Sequence, residues 1–240
     1  MNHIAVIPAR SGSKGLKDKN IKLLNGIPLI GYSITAAKES GLFSHIMVST
    51  DSQEYAEIAM AQGAEVPFLR SPRTSSDEAG SWEVVKEVLA GYAEQFNTVC
   101  LLQPTSPLRT AQDIINGYTE LEAKEADAIT AVCEMDHSPL WSMTLDADCS
   151  LSEFRRHLQI VPHQMMKTYY QINGALYIRK ITYSSGSNIT LHNNKEYAVI
   201  MDRNRSVDID TIEDFEYAEY LIRKEKNSVF EFKRGLNLPK

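Results

Sequence analysis

The sequence predicts an α/β protein built on a mostly parallel sheet, and three observations carry that reading. Apolar, β-branched runs alternate with segments of helical periodicity along most of the 240 residues. The first such run, His3-Ile4-Ala5-Val6-Ile7, is apolar past its opening histidine, which suits a strand covered on both faces. Hydrophobic residues make up 43% of the chain and charged residues 23%, so a soluble globule can bury a full core.

The elements follow in order. After the first strand a basic stretch leads to a turn at Asn25-Gly26, and residues 29–38 fit a helix ending near Gly41. Residues 45–51 read as a second strand, 54–62 as its helix with Gly63 as the stop, and 64–69 as a third, short strand. A polar loop over 72–80 precedes a helix over 81–96, which places Val84, Val85, Val88, Leu89, Tyr92 and Phe96 at helical spacing. Residues 98–102 are strand, 111–123 helix and 128–132 strand. Over 134–170 neither period holds, and this stretch reads as a lobe projecting from the sheet, either an interface with a second subunit or a local core. Strands return at 171–178 and 197–201, and Thr211 opens a final helix with Asp214 at capping-box spacing.

Bulk properties exclude several classes. A net charge of -6 weakens any nucleic-acid reading. No apolar run reaches the roughly 18 residues of a membrane helix, and the N-terminus does not read as a signal peptide, since its apolar run is short and enters a charged loop. Three cysteines, Cys100, Cys133 and Cys149, without C-x-x-C spacing fit neither a disulfide framework nor a zinc site, and point to a reducing, cytoplasmic setting. There is no G-x-S-x-G elbow, and the six histidines lack metal spacing.

Three stretches offer chemistry. Past the first strand come Arg10, Lys14, Lys17, Lys19 and Lys22, with Asp18 as the single acid, and Gly12 and Gly15 free the backbone. Ligands of open α/β sheets bind at the carboxyl ends of strands. There Arg10 can fork onto phosphate oxygens while Lys14 and Lys19 act as point charges, or the stretch is simply a solvated basic loop. It matches neither the P-loop nor the G-x-G-x-x-G pattern, so a nucleotide site here belongs to another class. Asp208-Ile209-Asp210 precedes the last helix, where alternate carboxylates face one way. They suit Mg²⁺ with open positions for substrate phosphates, or they serve the helix dipole alone. Gln103-Pro104-Thr105-Ser106-Pro107-Leu108-Arg109 is a stiff polar loop at another strand end. It binds a polyhydroxylated substrate, or it is a helix start with Thr110 as N-cap and Arg109 exposed. Asp51, at the end of its strand, is equally open.

Taken together, Ile7-Pro8-Ala9-Arg10-Ser11-Gly12-Ser13-Lys14-Gly15 with Lys19-Asn20, Val48-Ser49-Thr50-Asp51, Leu102 to Arg109, Asn173-Gly174-Ala175-Leu176-Tyr177-Ile178 and Asp208-Ile209-Asp210-Thr211 resemble the cytidylyltransferases that activate nine-carbon keto sugar acids. These are the CMP-sialic acid synthetases and their legionaminic- and pseudaminic-acid relatives. The pieces stand in the family's order and span nearly the whole chain. The resemblance implies a Rossmann-like three-layer fold, a single domain over 1–240, and homodimerisation through a small protruding lobe at 134–172. It implies that Arg10, Lys14 and Lys19 hold the CTP phosphates, that Ser13, Asn20, Arg70 and Ser81 help bind the nucleotide, and that Gln103, Thr105, Ser106, Tyr177 and His163 serve the sugar acid. Asp208 and Asp210 would hold Mg²⁺. Asp77 to Ser81 matches the family's Asp-x-x-x-Ser loop.

One departure narrows the substrate. Sialic-acid relatives often carry arginine ten residues before the motif's Asn, where this chain has His163, and many carry Arg or a nearby equivalent two residues before that Asn, where this chain has Gln171. A lost bidentate carboxylate partner is not a conservative change. The resemblance therefore implies the nonulosonic acids as a class. An enzyme for an eight-carbon acid of the Kdo type, or a non-catalytic nucleotide sensor, are the alternatives; the intact Asp208/Asp210 pair and basic loop argue against the sensor.

Overall fold

The structure is a computed structural model and describes residues 2–12, 15–157, 167–184 and 188–235. In chain order the elements are β1 (His3–Pro8), β2 (Leu23–Leu24), β3 (Ile27–Pro28), α1 (Leu29–Ser40), β4 (His45–Ser49), α2 (Gln53–Ala61), α3 (Pro72–Ser75), α4 (Ser81–Gly91), β5 (Thr98–Leu101), α5 (Ala111–Ala123), β6 (Ala128–Glu134), α6 (Ser152–His157), β7 (Tyr170–Ser184), β8 (Asn188–Leu191), β9 (Glu196–Ile200) and α7 (Ile212–Gly235).

The central sheet runs β4-β1-β5-β7-β6-β9, with β8 paired to β7. The neighbours β4–β1, β1–β5 and β6–β9 are parallel, while β7 lies antiparallel to both β5 and β6. Alternation along each strand divides the core. Ala5 and Ile7 of β1 pack with Ile30 and Ile34 of α1 and Ile114 and Leu121 of α5 on one face. Ile4 and Val6 pack with Val85, Val88 and Leu89 of α4 on the other. Helices therefore cover both faces of the parallel end, giving the expected three layers. Phe215, Ala218 and Ile222 of α7 bury Leu24, Leu29 and Ile209 in a third cluster.

Among the described residues, one face of the far end is left without cover. Across β7, β6 and β9, Ile172, Val132 and Ile200 stand in register, and pairing puts their side chains on one face. Ile172 is 63% and Ile200 62% exposed. Between β6 and β7, Leu140, Trp141, Met143, Leu145 and Leu151 are exposed as well.

The structure amends three expectations. Residues 64–69 make one bridge, Met47 to Glu65, in place of a strand, because Pro67 lacks the N–H needed to extend the ladder. The helix from Ser81 stops at Gly91; Tyr92 and Phe96 keep their apolar role by packing edge-on, with centroids 5.4 Å apart. The strand expected over 171–178 runs from Tyr170 to Ser184 and turns back through β8. Elsewhere the local signals hold. Asn25 and Gly26 take positive φ between β2 and β3. Asp214 accepts from the backbone and hydroxyl of Thr211, both at 2.9 Å, and Asp214 N–H donates back at 3.2 Å.

Candidate active site

The parallel strands β1, β4 and β5 end on one side, and their loops meet there. Arg10 follows β1, its guanidinium 2.5 Å from Asp77 in the loop before α4. Asn20 donates to the Arg10 carbonyl at 3.0 Å and fixes the return of the basic stretch. Arg70 is buried; its Nε donates to Ser49 Oγ at 3.2 Å and its terminal nitrogen to Ser49 O at 2.8 Å. Burial lowers the Arg70 pKa, while Asp51 and Glu87 oppose the shift. A cavity of about 180 Å³ is lined by Arg10, Asn20, Arg70, Ser81, Gln103 and Thr105. Six expected site residues from separate stretches thus face one space.

The carboxylate pair reaches the basic stretch through two contacts. Lys19 donates to Ile209 O at 2.6 Å and to Asp210 Oδ1 at 3.1 Å. A Cβ on Gly15 would sit 2.7 Å from Asp210 O, so glycine alone permits this approach. Lys19 thus bridges to the metal candidates, where the resemblance expected it on phosphate. Ile209 N–H also donates to Thr105 O at 2.9 Å, tying the pair to the Gln103 loop. Asp208 is solvent-exposed as a residue, yet protein crowds its carboxyl. That desolvation and the charge of Asp210 raise its pKa against the hydrogen bond from Thr105. Two carboxylates, one of them paired with Lys19, are oxygen donors of the kind a divalent cation takes when phosphate and water complete its shell; among the described residues no third His, Cys, Asp or Glu joins them.

Tyr177 lies half-buried on β7, its ring edge-on to Trp82 at 6.2 Å; burial and the Asp208 charge raise its phenol. Gln103 reaches the same region, since its side chain fills the space where a Cβ on Gly174 would stand, and Gly174 has φ +75°. Ser106 differs: it is fully buried and its hydroxyl donates to Asn173 O at 3.4 Å, so it braces the strand and does not face the cavity. Ser13, Lys14 and His163 lie outside the described residues.

Arg109 departs from both readings of its loop. It is buried, donating to Ala175 O at 2.6 Å, Gln103 O at 3.3 Å and Ser33 Oγ at 2.5 Å, while its Nε has no partner among the described residues. Burial lowers its pKa to about 10. The sequence hid this, because an arginine two residues past a proline and next to an N-cap reads as surface. Thr110 does form the N-cap, in a capping box with Asp113. Asp113 in turn holds Arg205 at 2.9 Å.

Residues 4–234 match the model of the family described as Cytidylyltransferase. The chain belongs to the cytidylyltransferase family. Among curated relatives, the N-acylneuraminate cytidylyltransferase of Streptococcus agalactiae serotype V is 36% identical over 244 aligned residues, covering 98% of this chain and 58% of the relative. The chain thus spans little more than half the length of that protein. The CMP-N,N'-diacetyllegionaminic acid synthase of Legionella pneumophila is 33% identical, covering 92% of this chain and 97% of the relative. The pseudaminic acid cytidylyltransferase of Campylobacter jejuni is 30% identical, covering 96% and 100%. A solved CMP:2-keto-3-deoxy-manno-octonic acid synthetase in complex with CTP superposes with a TM-score of 0.68 at 14% identity, covering 94% of this chain and all of that one. That likeness shows the fold. Among the described residues of this cytidylyltransferase, no helix is long and apolar enough to cross a membrane.

Proposed function

We propose that this cytidylyltransferase transfers CMP from CTP to the anomeric 2-hydroxyl of a nine-carbon keto sugar acid and releases pyrophosphate. The observation that carries the reading is the meeting of the basic stretch with Asp208-Ile209-Asp210 through Lys19 and Gly15, beside a cavity with an arginine wall. The relatives named for sialic, legionaminic and pseudaminic acids supply the substrate class.

The chemistry asks for positioning and charge stabilisation. The hydroxyl oxygen bonds to the α-phosphorus, the bond from that phosphorus to the bridging oxygen breaks, and pyrophosphate departs. Arg10 and Lys14 hold the charge that grows on it. One carboxylate of the Asp208–Asp210 pair takes the hydroxyl proton. Those carboxylates would also hold Mg²⁺, which when bound neutralises phosphate charge. Gln103, Thr105 and Tyr177 orient the sugar acid, with His163 on the specificity side.

We further propose that the active species is a homodimer in a reducing, cytoplasmic setting. Exposed Ile172 and Ile200, which flank half-buried Val132 across the sheet, and the exposed apolar side chains between Leu140 and Leu151 support an apolar contact formed by residues 134–172 together with the neighbouring sheet face. The free Cys100, Cys133 and Cys149 fit that setting.

The experiment is pyrophosphate release from CTP and Mg²⁺ against N-acetylneuraminic, legionaminic, pseudaminic and Kdo acids. Turnover with a nine-carbon acid is expected. A response to Kdo acid alone would move the assignment to eight-carbon acids. Silence across the panel, with CTP still binding, would favour a sensor.

A further inference from the structure

Asp51 is a charged residue at the site that the reading above does not use. It stands just past β4, and both its carboxylate oxygens serve one residue: Oδ1 accepts the Ser11 N–H at 2.7 Å and Oδ2 the Ser11 hydroxyl at 2.9 Å. Ser11 is the neighbour of Arg10. On the other side of Arg10, Ala9 N–H donates to Ser49 O at 2.8 Å. The same short segment carries the second arginine of the cavity, since Ser49 takes the Arg70 guanidinium and Thr50 O accepts Arg70 N–H at 2.7 Å. Residues 49–51 thus hold both arginines of the wall, and Asp51 supplies the one negative charge in that segment. Arg10 and Arg70 repel each other, and Asp51 offsets the repulsion.

We propose that Asp51 is a positioning residue for polyphosphate, fixing the Ser11 backbone so that Arg10 meets the nucleotide phosphates. The inference rests on the nucleotide-binding reading and deepens it. Its sign is what makes it informative. By Coulomb's law alone, a carboxylate beside an anionic ligand weakens binding, so removing it would tighten CTP. A clamp predicts the reverse.

CTP and cytidine are titrated against the unchanged chain and the variants Asp51→Ala, Asp51→Asn and Ser11→Ala. Asp51→Ala is expected to weaken CTP by about tenfold, the scale of a lost charge-assisted pair of hydrogen bonds, with cytidine affinity held within about twofold. Asp51→Asn keeps an acceptor oxygen for Ser11 and is expected to recover part of the loss, and it preserves the test should the alanine variant not fold. Ser11→Ala keeps the N–H contact and is expected to fall between. Equal or tighter CTP binding in Asp51→Ala overturns the inference. So does a parallel fall of CTP and cytidine, the mark of a purely structural role. Should the unchanged chain bind neither ligand, the nucleotide reading fails and takes this inference with it; CTP binding that ignores Asp51 removes the inference alone.

Discussion

The two ends of the sheet are finished to different degrees. Over β4, β1 and β5, helices cover both faces, and the cationic loop is tied at Ser11, Asn20 and Lys19 by side-chain hydrogen bonds. Over β6, β7 and β9, one face leaves Ile172 and Ile200 in solvent. The first end is built to hold a charged ligand with fixed geometry, as preorganised electrostatics requires. The second is the face proposed for self-association. Under that reading a single chain supplies the nucleotide side of the site, and the apolar end meets a second copy.

Breaking the first end should have the largest effect. Asp210→Ala is expected to lower pyrophosphate release on the order of a thousandfold, since metal and carboxylate charge stabilisation is worth several kcal/mol. Asp210 is exposed, so thermal melting should be nearly unchanged. Near-normal rates with Mg²⁺ supplied would remove it from the site.

The second end is tested by charge. Ile172→Glu with Ile200→Glu should weaken self-association on the order of a hundredfold, because a contact would trap unpaired carboxylates. Analytical ultracentrifugation reads this directly. A chain that stays dimeric, or one that was monomeric throughout, would show that this face is not the interface.

A smaller effect separates two carboxylates near Arg10. Asp77 is a direct ion-pair partner at 2.5 Å and, under the proposed reading, would compete with phosphate for the guanidinium. Asp77→Asn should tighten CTP by about two- to fivefold, the scale of a partly exposed ion pair. Asp51→Ala should act in the opposite direction, so one titration series distinguishes competitor from clamp.

The smallest effect lies at the far edge of β4. Burial lowers the pKa of His45, but hydrogen bonds and charge from Glu65, at 2.8 Å, and Glu94, at 2.6 Å, outweigh it and leave the pKa raised. A raised folded-state pKa gives stability that is full below the unfolded value near 6.5 and fades as pH climbs through the folded one. The melting temperature should fall by about 1–3 °C across that window, and His45→Gln should flatten the dependence. Equal slopes in both proteins would exclude His45 as the cause.

Much of the fold was legible because local patterns and tertiary packing agree. The β1 run, the Thr211–Asp214 capping box and the Asn25-Gly26 turn each state their role within a few residues. The cavity residues were legible by resemblance, and physics alone left their loops undecided. What stayed hidden depends on partners distant in sequence. Nothing around Arg109 announces that it will be buried under Ala175 and Gln103, and nothing around Lys19 announces Asp210. Ser106 shows the converse: a polar residue in a polar loop that packing turns inward.

The placing of β7 has a consequence for how the molecule assembles. β7 sits between β5 and β6 and pairs Thr98 with Lys180, so two earlier strands wait for a later one to join them. Loop-closure entropy makes such distant pairing slow. A nascent chain can form the β4–β1–β5 ladder early, with Arg10 already paired to Asp77, but Lys19 then lacks Asp210. Pulsed hydrogen exchange should find β1 amides protected before those of β7, with the Ile209 amide among the last. A chain arrested on the ribosome before residue 210 would carry half a site.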